Sequence, residues 1–418
     1  MKKTSARKPV KAQTKKLLDI GRKYYTAAYK PRETIMDRGK GSIVWDLDGN
    51  DHVDFGAGIA VCALGHHSDV LLKALTTQAK KLWHTSNIFF TEPPVMLAEE
   101  LVKASKFAKR IFFTNSGGEA NEAAIKLARK YAADKGKTPE QREIITFTGS
   151  FHGRTIATVT ATAQPKYQHG FEPLPGGFKY CAFNDFDAIA NMVNDNTCAV
   201  MIEVIQGEGG ITPVKPGYLK HIRTLCDKVG ALLIIDDVQA GMGRTGKLFS
   251  HFAEGVVPDI VTMAKALGGG MPIGAMLTGE KAENTFQFGS HGSTFGGNPL
   301  ACAVAREVLK KLQSANLQRN IASRGKQLVS GLNTINKKFG MFAEVRGRGL
   351  IIGAELKPQW KDKAGDIAEV ARKNGVLVLQ AGPNVLRFVP PLTITEKEMK
   401  LGLARLEKAI ENYLASAK

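Results

Sequence analysis

The chain has 418 residues, of which 58 are Lys or Arg and 39 are Asp or Glu, so its formal net charge at pH 7 is +19. Hydrophobic residues make up 43% of the chain, which is enough for a globular core and excludes wholesale disorder. No apolar run approaches the roughly 18 to 20 residues that a membrane-spanning helix needs, so we expect no membrane contact.

The positive charge is concentrated near the N-terminus. The first 40 residues carry 13 basic and 3 acidic side chains, a net of +10, whereas the remaining 378 carry 45 basic and 36 acidic, a net of +9. Residues 1–18 are predicted to form a solvated basic arm, without the apolar stretch of about 7 to 15 residues that marks a secretory signal. A targeting arm for another route is the alternative. Nucleic-acid binding through this arm is a distant alternative.

The cysteines indicate a reducing compartment. There are five of them, widely scattered and without a CxxC pair, namely Cys62, Cys181, Cys198, Cys226 and Cys302. An odd, dispersed set argues against both a disulfide framework and a zinc site. We therefore expect a cytoplasmic protein without a metal site.

Apolar β-rich segments alternate with helical stretches along most of the chain. A strand at Ser42–Leu47 ends in a turn, and from about residue 100 onward several predicted strands are apolar throughout, as expected for a mostly parallel sheet buried on both faces. Long helical stretches, such as Glu119–Tyr131, separate the first four of these, which indicates an α/β domain. The later predicted strands are Ile111–Phe113, Ile144–Phe147, Ala199–Val204, Leu232–Ile235, Ile260–Met263 and Ile273–Leu277.

The pattern changes after about residue 300. Leu300–Leu312 is predicted to be a helix, and an α+β segment with strands at Leu350–Glu355 and Val376–Leu379 follows it. Thr395 and Glu398 form a capping box for a terminal amphipathic helix. We predict a basic arm (1–18), an N-terminal part of a small domain with its linker (19–75), a large α/β domain (76–310) and the C-terminal part of the small domain (311–418).

One glycine motif gives a misleading signal. Gly241–Gly246 matches the dinucleotide pattern GxGxxG and, with Lys247, most of a phosphate-binding Walker loop. However, Leu248 stands where the Walker loop needs Ser or Thr, and five residues separate the preceding strand from Gly241. A loop shaped by close packing is the better account, and a nicotinamide-dependent oxidoreductase is a distant alternative.

Lys265 and Asp236 are the first candidates for chemistry, because both follow predicted buried strands. Ligands of open α/β sheets gather at the carboxyl ends of strands. A lysine in this apolar, small-residue setting would be desolvated, which lowers an ammonium pKa and exposes the amine as a nucleophile. An aspartate can keep a pyridine nitrogen protonated. Individually, the lysine could be a surface residue and the aspartate a helix cap.

A predicted phosphate site follows another strand. The residues Ser116, Gly117 and Gly118 come after Ile111–Phe113 and open a helix, whose free N–H groups suit an anion. An ordinary turn is the plain alternative. Together, the lysine, the acid and the phosphate cradle suggest pyridoxal phosphate as cofactor.

Six segments of the chain resemble the class III aminotransferases. Their order and spacing match that class from about residue 20 to the C-terminus. The resemblance implies the type I fold of pyridoxal-phosphate-dependent enzymes, an α/β fold whose large domain has a mostly parallel sheet, beside a smaller α+β domain built from both chain ends. The segments are Asn115–Asn121, Ser150–Thr155, Gln206–Gly210, Asp236–Gln239, Lys265–Gly270 and Gly292–Pro299.

The resemblance also implies roles around the cofactor. Lys265 would bind it covalently and carry the proton, Asp236 would pair with the ring nitrogen, and Gln239 would reach the phenolic oxygen. Thr294 would help to hold the phosphate from the partner subunit, which implies a homodimer with shared active sites. The remaining implied cofactor contacts are Ser116, Gly117, Gly118, Phe151, Asp237 and Val238.

Two arginines resemble the substrate clamps of this class, since the planar guanidinium binds carboxylates through two hydrogen bonds. Arg154 would hold the carboxylate remote from the reacting amine, and Arg387 the α-carboxylate of glutamate or 2-oxoglutarate. Glu208 would pair with Arg387 when the substrate presents an uncharged end. Ser293 would contact the substrate of the neighbouring subunit.

Phe171–Phe178 and Phe288–Thr294 most resemble the acetylornithine branch of the class. This implies transamination of N2-acetylornithine with 2-oxoglutarate, giving N-acetylglutamate 5-semialdehyde and glutamate, a reaction of arginine biosynthesis. Ornithine, succinylornithine and 4-aminobutyrate are alternative donors. The chain departs from the usual pattern at Asp237, where the class has Glu, at Gly118, which replaces a frequent Thr or Ala, and at Cys62 and His67–Asp69.

Overall fold

The computed structural model describes residues 11–416. Seventeen strands lie within this range. They are β1 Met36–Lys40, β2 Ile43–Asp46, β3 Asp51–Asp54, β4 Ala108–Thr114, β5 Glu143–Phe147, β6 Phe178–Cys181, β7 Thr197–Ile202, β8 Ile205–Gln206, β9 Thr212–Pro213, β10 Leu232–Asp236, β11 Ile260–Met263, β12 Gly274–Gly279, β13 Phe342–Arg348, β14 Ile351–Leu356, β15 Val376–Leu377, β16 Leu379–Gln380 and β17 Val385–Phe388.

Thirteen helices accompany the strands in the same range. One of them, at residues 57–60, is a single turn in which Gly58 and Ile59 have left-handed backbone angles. The helices are α1 Ala12–Tyr24, α2 Ala57–Ala60, α3 Asp69–Ala79, α4 Glu92–Ser105, α5 Gly117–Asp134, α6 Ile156–Ala161, α7 Pro165–Gln168, α8 Phe186–Met192, α9 Tyr218–Val229, α10 Pro299–Leu312, α11 Ala315–Phe339, α12 Ala364–Lys373 and α13 Glu396–Ser416. None of the helices in this range is both long and apolar enough to cross a membrane.

The central sheet has seven strands in the order β4-β12-β11-β10-β7-β5-β6. Only β12 runs antiparallel to its neighbours, so the sheet is mostly parallel. The strands β7, β10, β11 and β12 are buried along their whole length. The prediction of a mostly parallel sheet covered on both faces is therefore confirmed, with strand bounds shifted by up to three residues.

Both ends of the chain contribute to the smaller sheets. β15 pairs in parallel with β3, with Val376 opposite Val53, so a C-terminal strand completes the sheet β1-β2-β3-β15. A second sheet has the order β13-β14-β17-β16. The single strand predicted at Val376–Leu379 is wrong, because the chain divides there between these two sheets.

The N-terminal segment differs from its prediction. Residues 12–24 form the helix α1, which was not predicted from the sequence. Thr14 is buried and its Oγ1 donates a hydrogen bond of 2.6 Å to Asp48, which fixes the start of the helix. Leu17 and Ile20 remain exposed, so the helix has only a weak apolar face. Residues 1–10 of the predicted basic arm lie outside the described residues.

The predicted capping box at the start of α13 is present. The Thr395 Oγ1 accepts from the Glu398 N–H at 3.2 Å, and the Glu398 carboxylate accepts from the Thr395 N–H at 2.8 Å. Met399, Leu406 and Ile410 are buried on one face of the helix, as its periodicity predicts.

The glycine motif at 241–246 is packed into the protein. A Cβ on Gly241 would lie 2.6 Å from the carbonyl oxygen of Asp237, so the backbone approaches too closely for any side chain. Arg244 is fully buried and donates to the carbonyl of Leu350 in the smaller unit. The loop therefore joins the large sheet to the segment before β14, as expected for a loop shaped by packing.

Candidate active site

A cavity of about 350 Å³ lies at the carboxyl ends of the central strands. Parallel strands that end at one edge bring their following residues together there. Most of the predicted cofactor contacts line this cavity, namely Ser116, Gly117, Gly118, Phe151, Asp236, Val238, Gln239 and Lys265.

Asp236 ends β10 and is held by three hydrogen-bonding groups. Its Oδ1 accepts from the Val238 N–H at 3.0 Å, and its Oδ2 accepts from Asn121 at 2.8 Å. The Nδ1 of buried His152 lies 2.8 Å from the same Oδ2. Thr262 on β11 donates to Asn121 and fixes the orientation of the amide. The carboxylate is thus a rigid negative group at the floor of the cavity.

Lys265 stands two residues beyond β11 and faces the cavity. Its φ of 42° lies in the left-handed region, which is uncommon for a residue with a side chain. Desolvation lowers the pKa of the Lys265 ammonium, and nearby Arg387 acts in the same direction against the opposing charge of Glu208. A lysine in this state offers a neutral amine more readily than one in water.

The start of α5 forms an anion cradle. Ser116 is the N-cap, and its Oγ accepts from the Glu119 N–H at 3.2 Å. Gly117 lies against Val238, because a Cβ on Gly117 would meet the Cγ1 of Val238 at 2.7 Å. At Gly118 a Cβ would find no atom closer than 3.9 Å. Ser116, Gly117 and Gly118 line the cavity, and the free N–H groups at the start of a helix suit a phosphate.

Glu203 is a part of the site that the sequence analysis missed. One oxygen of its buried carboxylate accepts from the Phe151 N–H at 3.0 Å, and the other accepts from the Gly207 N–H at 3.1 Å. Burial raises the pKa of Glu203 to about 7, although the charge of His152 lowers it in part. This residue directly follows β7, so the strand-end rule that selected Asp236 could have found it.

Arg387 and Glu208 form an ion pair that does not line the cavity but contacts Gln239, which does. The Nη1 of Arg387 donates to Glu208 and also to the side-chain oxygen of Gln239 at 3.0 Å. Arg387 is only 3% exposed. A buried guanidinium needs a negative partner. Arg387 can therefore release the carboxylate of Glu208 only when another carboxylate takes its place.

Arg154 lies outside the lining of the cavity and is exposed. Its Cζ is 3.9 Å from the centre of the Tyr167 ring and 5.6 Å from the centre of the Phe151 ring. The two rings meet edge to face with centres 6.0 Å apart. Sequence reasoning selected Arg154 and missed Tyr167, because nothing in the order of residues indicates this contact.

Besides Arg154, Glu208 and Arg387, three further predicted site residues do not line the cavity, namely Asp237, Ser293 and Thr294. Asp237, expected to contact the cofactor, does not line it, because its buried carboxylate accepts from the Ser250 N–H at 2.9 Å. Burial raises the pKa of Asp237 to about 7. Ser293 accepts hydrogen bonds from Asn115 and from the Gly296 N–H. Thr294 is exposed on the surface.

The residues of the cavity fit pyridoxal phosphate. The glycine cradle at Gly117 matches a phosphate, the desolvated Lys265 matches an aldehyde, and the buried Asp236 matches a protonated ring nitrogen. Phe151 and Val238 supply apolar surface for a flat ring. The volume is also within the usual range for a site that encloses a small molecule.

Comparisons with known proteins agree with this fit. Residues 24–410 match the family model described as aminotransferase class-III. The chain is 57% identical to the acetylornithine aminotransferase of Xanthomonas campestris pv. campestris over 393 residues, which is 94% of this chain and 96% of that protein.

Solved structures give the same result. The N-acetylornithine aminotransferase from Stenotrophomonas maltophilia K279a is 49% identical with a TM-score of 0.85, and the match covers 96% of this chain and all of that one, 100%. An ornithine aminotransferase from Toxoplasma gondii, whose structure reveals partial occupancy of pyridoxal phosphate at the active site, is 34% identical with a TM-score of 0.91. That match covers 95% of this chain and 93% of the other.

Proposed function

The chain belongs to the class-III aminotransferases, and we propose that it transfers the δ-amino group of N2-acetylornithine to 2-oxoglutarate. The products are N-acetylglutamate 5-semialdehyde and glutamate. It is a transaminase that depends on pyridoxal phosphate, with the type I fold of that enzyme class. The observation that carries the substrate proposal is a set of two arginines beside a lysine with a lowered pKa. Arg154 is exposed and has no acidic partner within residues 11–416, whereas Arg387 is buried and paired with Glu208.

When bound, pyridoxal phosphate supplies an electron sink that stabilises negative charge on the carbon from which a proton leaves. Gly117 and Gly118 would bind its phosphate through backbone N–H groups, and Asp236 would keep its ring nitrogen protonated. Gln239 would donate to its phenolic oxygen. Phe151 and Val238 would enclose the ring and exclude water, as the lining of the cavity suggests.

Lys265 is proposed as the residue that attaches the cofactor and then moves a proton. Its lowered pKa favours the neutral amine, which is the form that can accept a proton at Nζ from the substrate carbon. Lys265→Ala is expected to abolish turnover while leaving the circular dichroism spectrum unchanged. Normal turnover in a well-folded variant would show that the lysine has another role.

The two arginines would let one site accept two substrate shapes. Arg154 would hold the α-carboxylate of N2-acetylornithine, which is remote from the reacting δ-amine, or the γ-carboxylate of glutamate. Arg387 would hold the α-carboxylate of glutamate and 2-oxoglutarate after release from Glu208. With N2-acetylornithine bound, the Glu208 pair would stay closed and cover the guanidinium charge.

A visible absorption spectrum tests the cofactor assignment, and kinetics test the substrate. The purified protein is expected to absorb in the violet with pyridoxal phosphate and to change its spectrum on addition of glutamate. Among N2-acetylornithine, ornithine, succinylornithine and 4-aminobutyrate, the first is expected to have the highest kcat/KM. A higher value for any of the others would overturn the proposed donor.

Arg154→Ala tests the carboxylate clamp. Loss of a bidentate contact to a charged group is expected to lower kcat/KM for N2-acetylornithine. The loss of transition-state stabilisation should be about 2 to 5 kcal/mol. An unchanged kcat/KM would remove Arg154 from the clamp.

A homodimer with shared sites is part of the proposal. Ile88, Phe89 and Phe90 are exposed, and the preceding Asn87 donates hydrogen bonds of 2.9 and 3.0 Å to the carbonyls of Ser293 and Gly296. This apolar surface adjoins the segment with Thr294, and such patches mark association sites. A second copy would bury it and bring Thr294 to the neighbouring phosphate.

Mixing two inactive variants tests the shared site. Lys265→Ala removes the lysine, and Thr294→Arg would block the phosphate cradle served by that residue. If Thr294 serves the other subunit, a mixed dimer has one intact site and regains part of the activity. If it serves its own subunit, no activity returns.

The five free cysteines also support a cytoplasmic location, where thiols stay reduced.

A further inference from the structure

The guanidinium of Arg154 has no hydrogen-bond acceptor and no acidic partner within residues 11–416. Its only described neighbours of note are aromatic. The Cζ lies 3.9 Å from the centre of the Tyr167 ring, a stacking distance, and 5.6 Å from the centre of the Phe151 ring. An exposed arginine without such a support would sample many rotamers and would lose that freedom on binding a carboxylate.

The helix that carries Tyr167 is anchored to the surrounding chain. Tyr167 belongs to the short helix α7, which two glutamines fasten to the surrounding chain. Gln164 donates a hydrogen bond of 2.8 Å to the carbonyl of Ser150, and Gln168 donates to the carbonyls of Thr160 and Thr162 at 3.1 and 2.9 Å. The ring of Tyr167 packs edge to face against Phe151, which lines the cavity.

We propose that Tyr167 is a positioning residue that holds Arg154 ready for the substrate carboxylate. Stacking uses the flat face of the guanidinium and leaves its N–H edges free, and these edges form the two parallel hydrogen bonds to a carboxylate. Tyr167 thus contributes to substrate recognition through Arg154. This inference rests on the proposed role of Arg154 as the remote carboxylate clamp.

Lys166 provides a control for charge. Its Nζ lies 4.7 Å from the centre of the same ring, so the ring carries two cations. Lys166→Met removes one of these cations and leaves the stack of Arg154 intact. If Tyr167 acts by orienting Arg154, the lysine variant changes the KM for N2-acetylornithine by less than a variant without the ring. A larger effect of Lys166→Met would overturn the proposal.

The test compares Tyr167→Phe, Tyr167→Leu, Arg154→Ala and the double variant Tyr167→Leu/Arg154→Ala in the enzyme with its cofactor. Tyr167→Leu is expected to raise the KM for N2-acetylornithine and the Ki of the unreactive dicarboxylate glutarate by on the order of three- to tenfold, with kcat changed by less than about twofold. Tyr167→Phe keeps the ring and is expected to keep both constants. Tyr167→Met replaces the leucine variant if circular dichroism shows that it folds poorly.

The double variant separates an orienting role from a general one. If Tyr167 acts through Arg154, adding Tyr167→Leu to Arg154→Ala changes the KM no further. Additive losses would overturn the inference, as would a KM in Tyr167→Leu equal to that of the unmodified enzyme while Arg154→Ala raises it. An unchanged KM in Arg154→Ala would instead refute the clamp itself, which is a failure of the proposed function.

Discussion

The Nδ1 of His152 lies 2.8 Å from the Oδ2 of Asp236, and both side chains are buried. Burial alone disfavours a charged imidazole. The hydrogen bond and charge of Asp236, with the charge of Glu203, outweigh that effect and raise the pKa of His152 above its ordinary 6.5. The histidine therefore places positive charge behind the carboxylate that faces the cavity.

His152 is expected to support catalysis through this contact. His152→Ala removes a hydrogen bond from Asp236 and should lower kcat by about tenfold, the cost of one charge-assisted hydrogen bond. His152→Asn keeps a donor near the Nδ1 position, so its kcat should lie between those of the unmodified enzyme and His152→Ala. Measuring kcat from pH 5.5 to 9 checks this, and equal kcat values in all three proteins would contradict it.

The glycines at the start of α5 give a matched pair of variants. Gly117→Ala would place a Cβ 2.7 Å from Val238, so the cradle must shift, whereas a Cβ at residue 118 stays at least 3.9 Å from any atom outside its own helix backbone and chain neighbours. We expect Gly117→Ala to weaken the Kd for pyridoxal phosphate by about tenfold, the usual scale of overpacking. Gly118→Ala should leave it nearly unchanged. Absorbance titration of the cofactor-free protein measures both values, and an equal loss in the two variants would refute the cradle.

Glu208→Gln should change the balance between the two substrates. Arg387 would lose its carboxylate partner and keep neutral acceptors, among them the oxygens of Gln239 and Gly207, each at 3.0 Å. The freed guanidinium should bind 2-oxoglutarate better, lowering its KM several-fold. N2-acetylornithine would leave that charge uncovered, and its kcat/KM should fall by about tenfold. Initial-rate kinetics of each half-reaction test this, and a parallel change for both substrates would argue against an exchange of partners.

Asp237 should make the fold less stable as the pH rises. Burial raises its pKa in the folded protein to about 7, from 3.8. The folded chain therefore keeps a proton that the unfolded chain loses, so this stabilising contribution is full below about pH 3.8 and is lost as the pH rises through 7.

Asp237→Asn removes that titration. We expect its Tm at pH 8 to exceed that of the unmodified protein by ~2–4 °C, and the difference to shrink at pH 5.5. Thermal unfolding at the two pH values measures this. A lower Tm at pH 8 would show that the carboxylate is stabilised by contacts that the amide cannot make.

The sequence predicted those site residues that stand at strand ends. Asp236 and Lys265 follow buried apolar strands, and a parallel sheet necessarily brings such positions together. It did not predict contacts set by packing between distant segments. Glu203 binds the Phe151 N–H 52 residues away, and His152 meets Asp236 over 84 residues. The orientation of the Asp237 side chain is likewise set by a hydrogen bond from the Ser250 N–H, 13 residues further along the chain.

The helix α1 was not predicted from the sequence for a related reason. The apolar strands of the central sheet carry their own signal, whereas α1 keeps Leu17 and Ile20 exposed and owes its place to the hydrogen bond between Thr14 and Asp48. A single polar contact across 34 residues leaves no periodicity in the sequence.

The backbone conformation of Lys265 lowers the stability of the fold at a position where the proposed reaction needs a lysine. Its left-handed φ of 42° costs about 1–3 kcal/mol for a residue with a side chain and little for glycine. Desolvation of the ammonium adds to that cost. Selection for stability alone would favour glycine at this position. Lys265→Gly is therefore expected to have a higher Tm than the unmodified protein and no transaminase activity. The proposed role of Lys265 in the reaction would account for a lysine at a position where the backbone and burial both disfavour it.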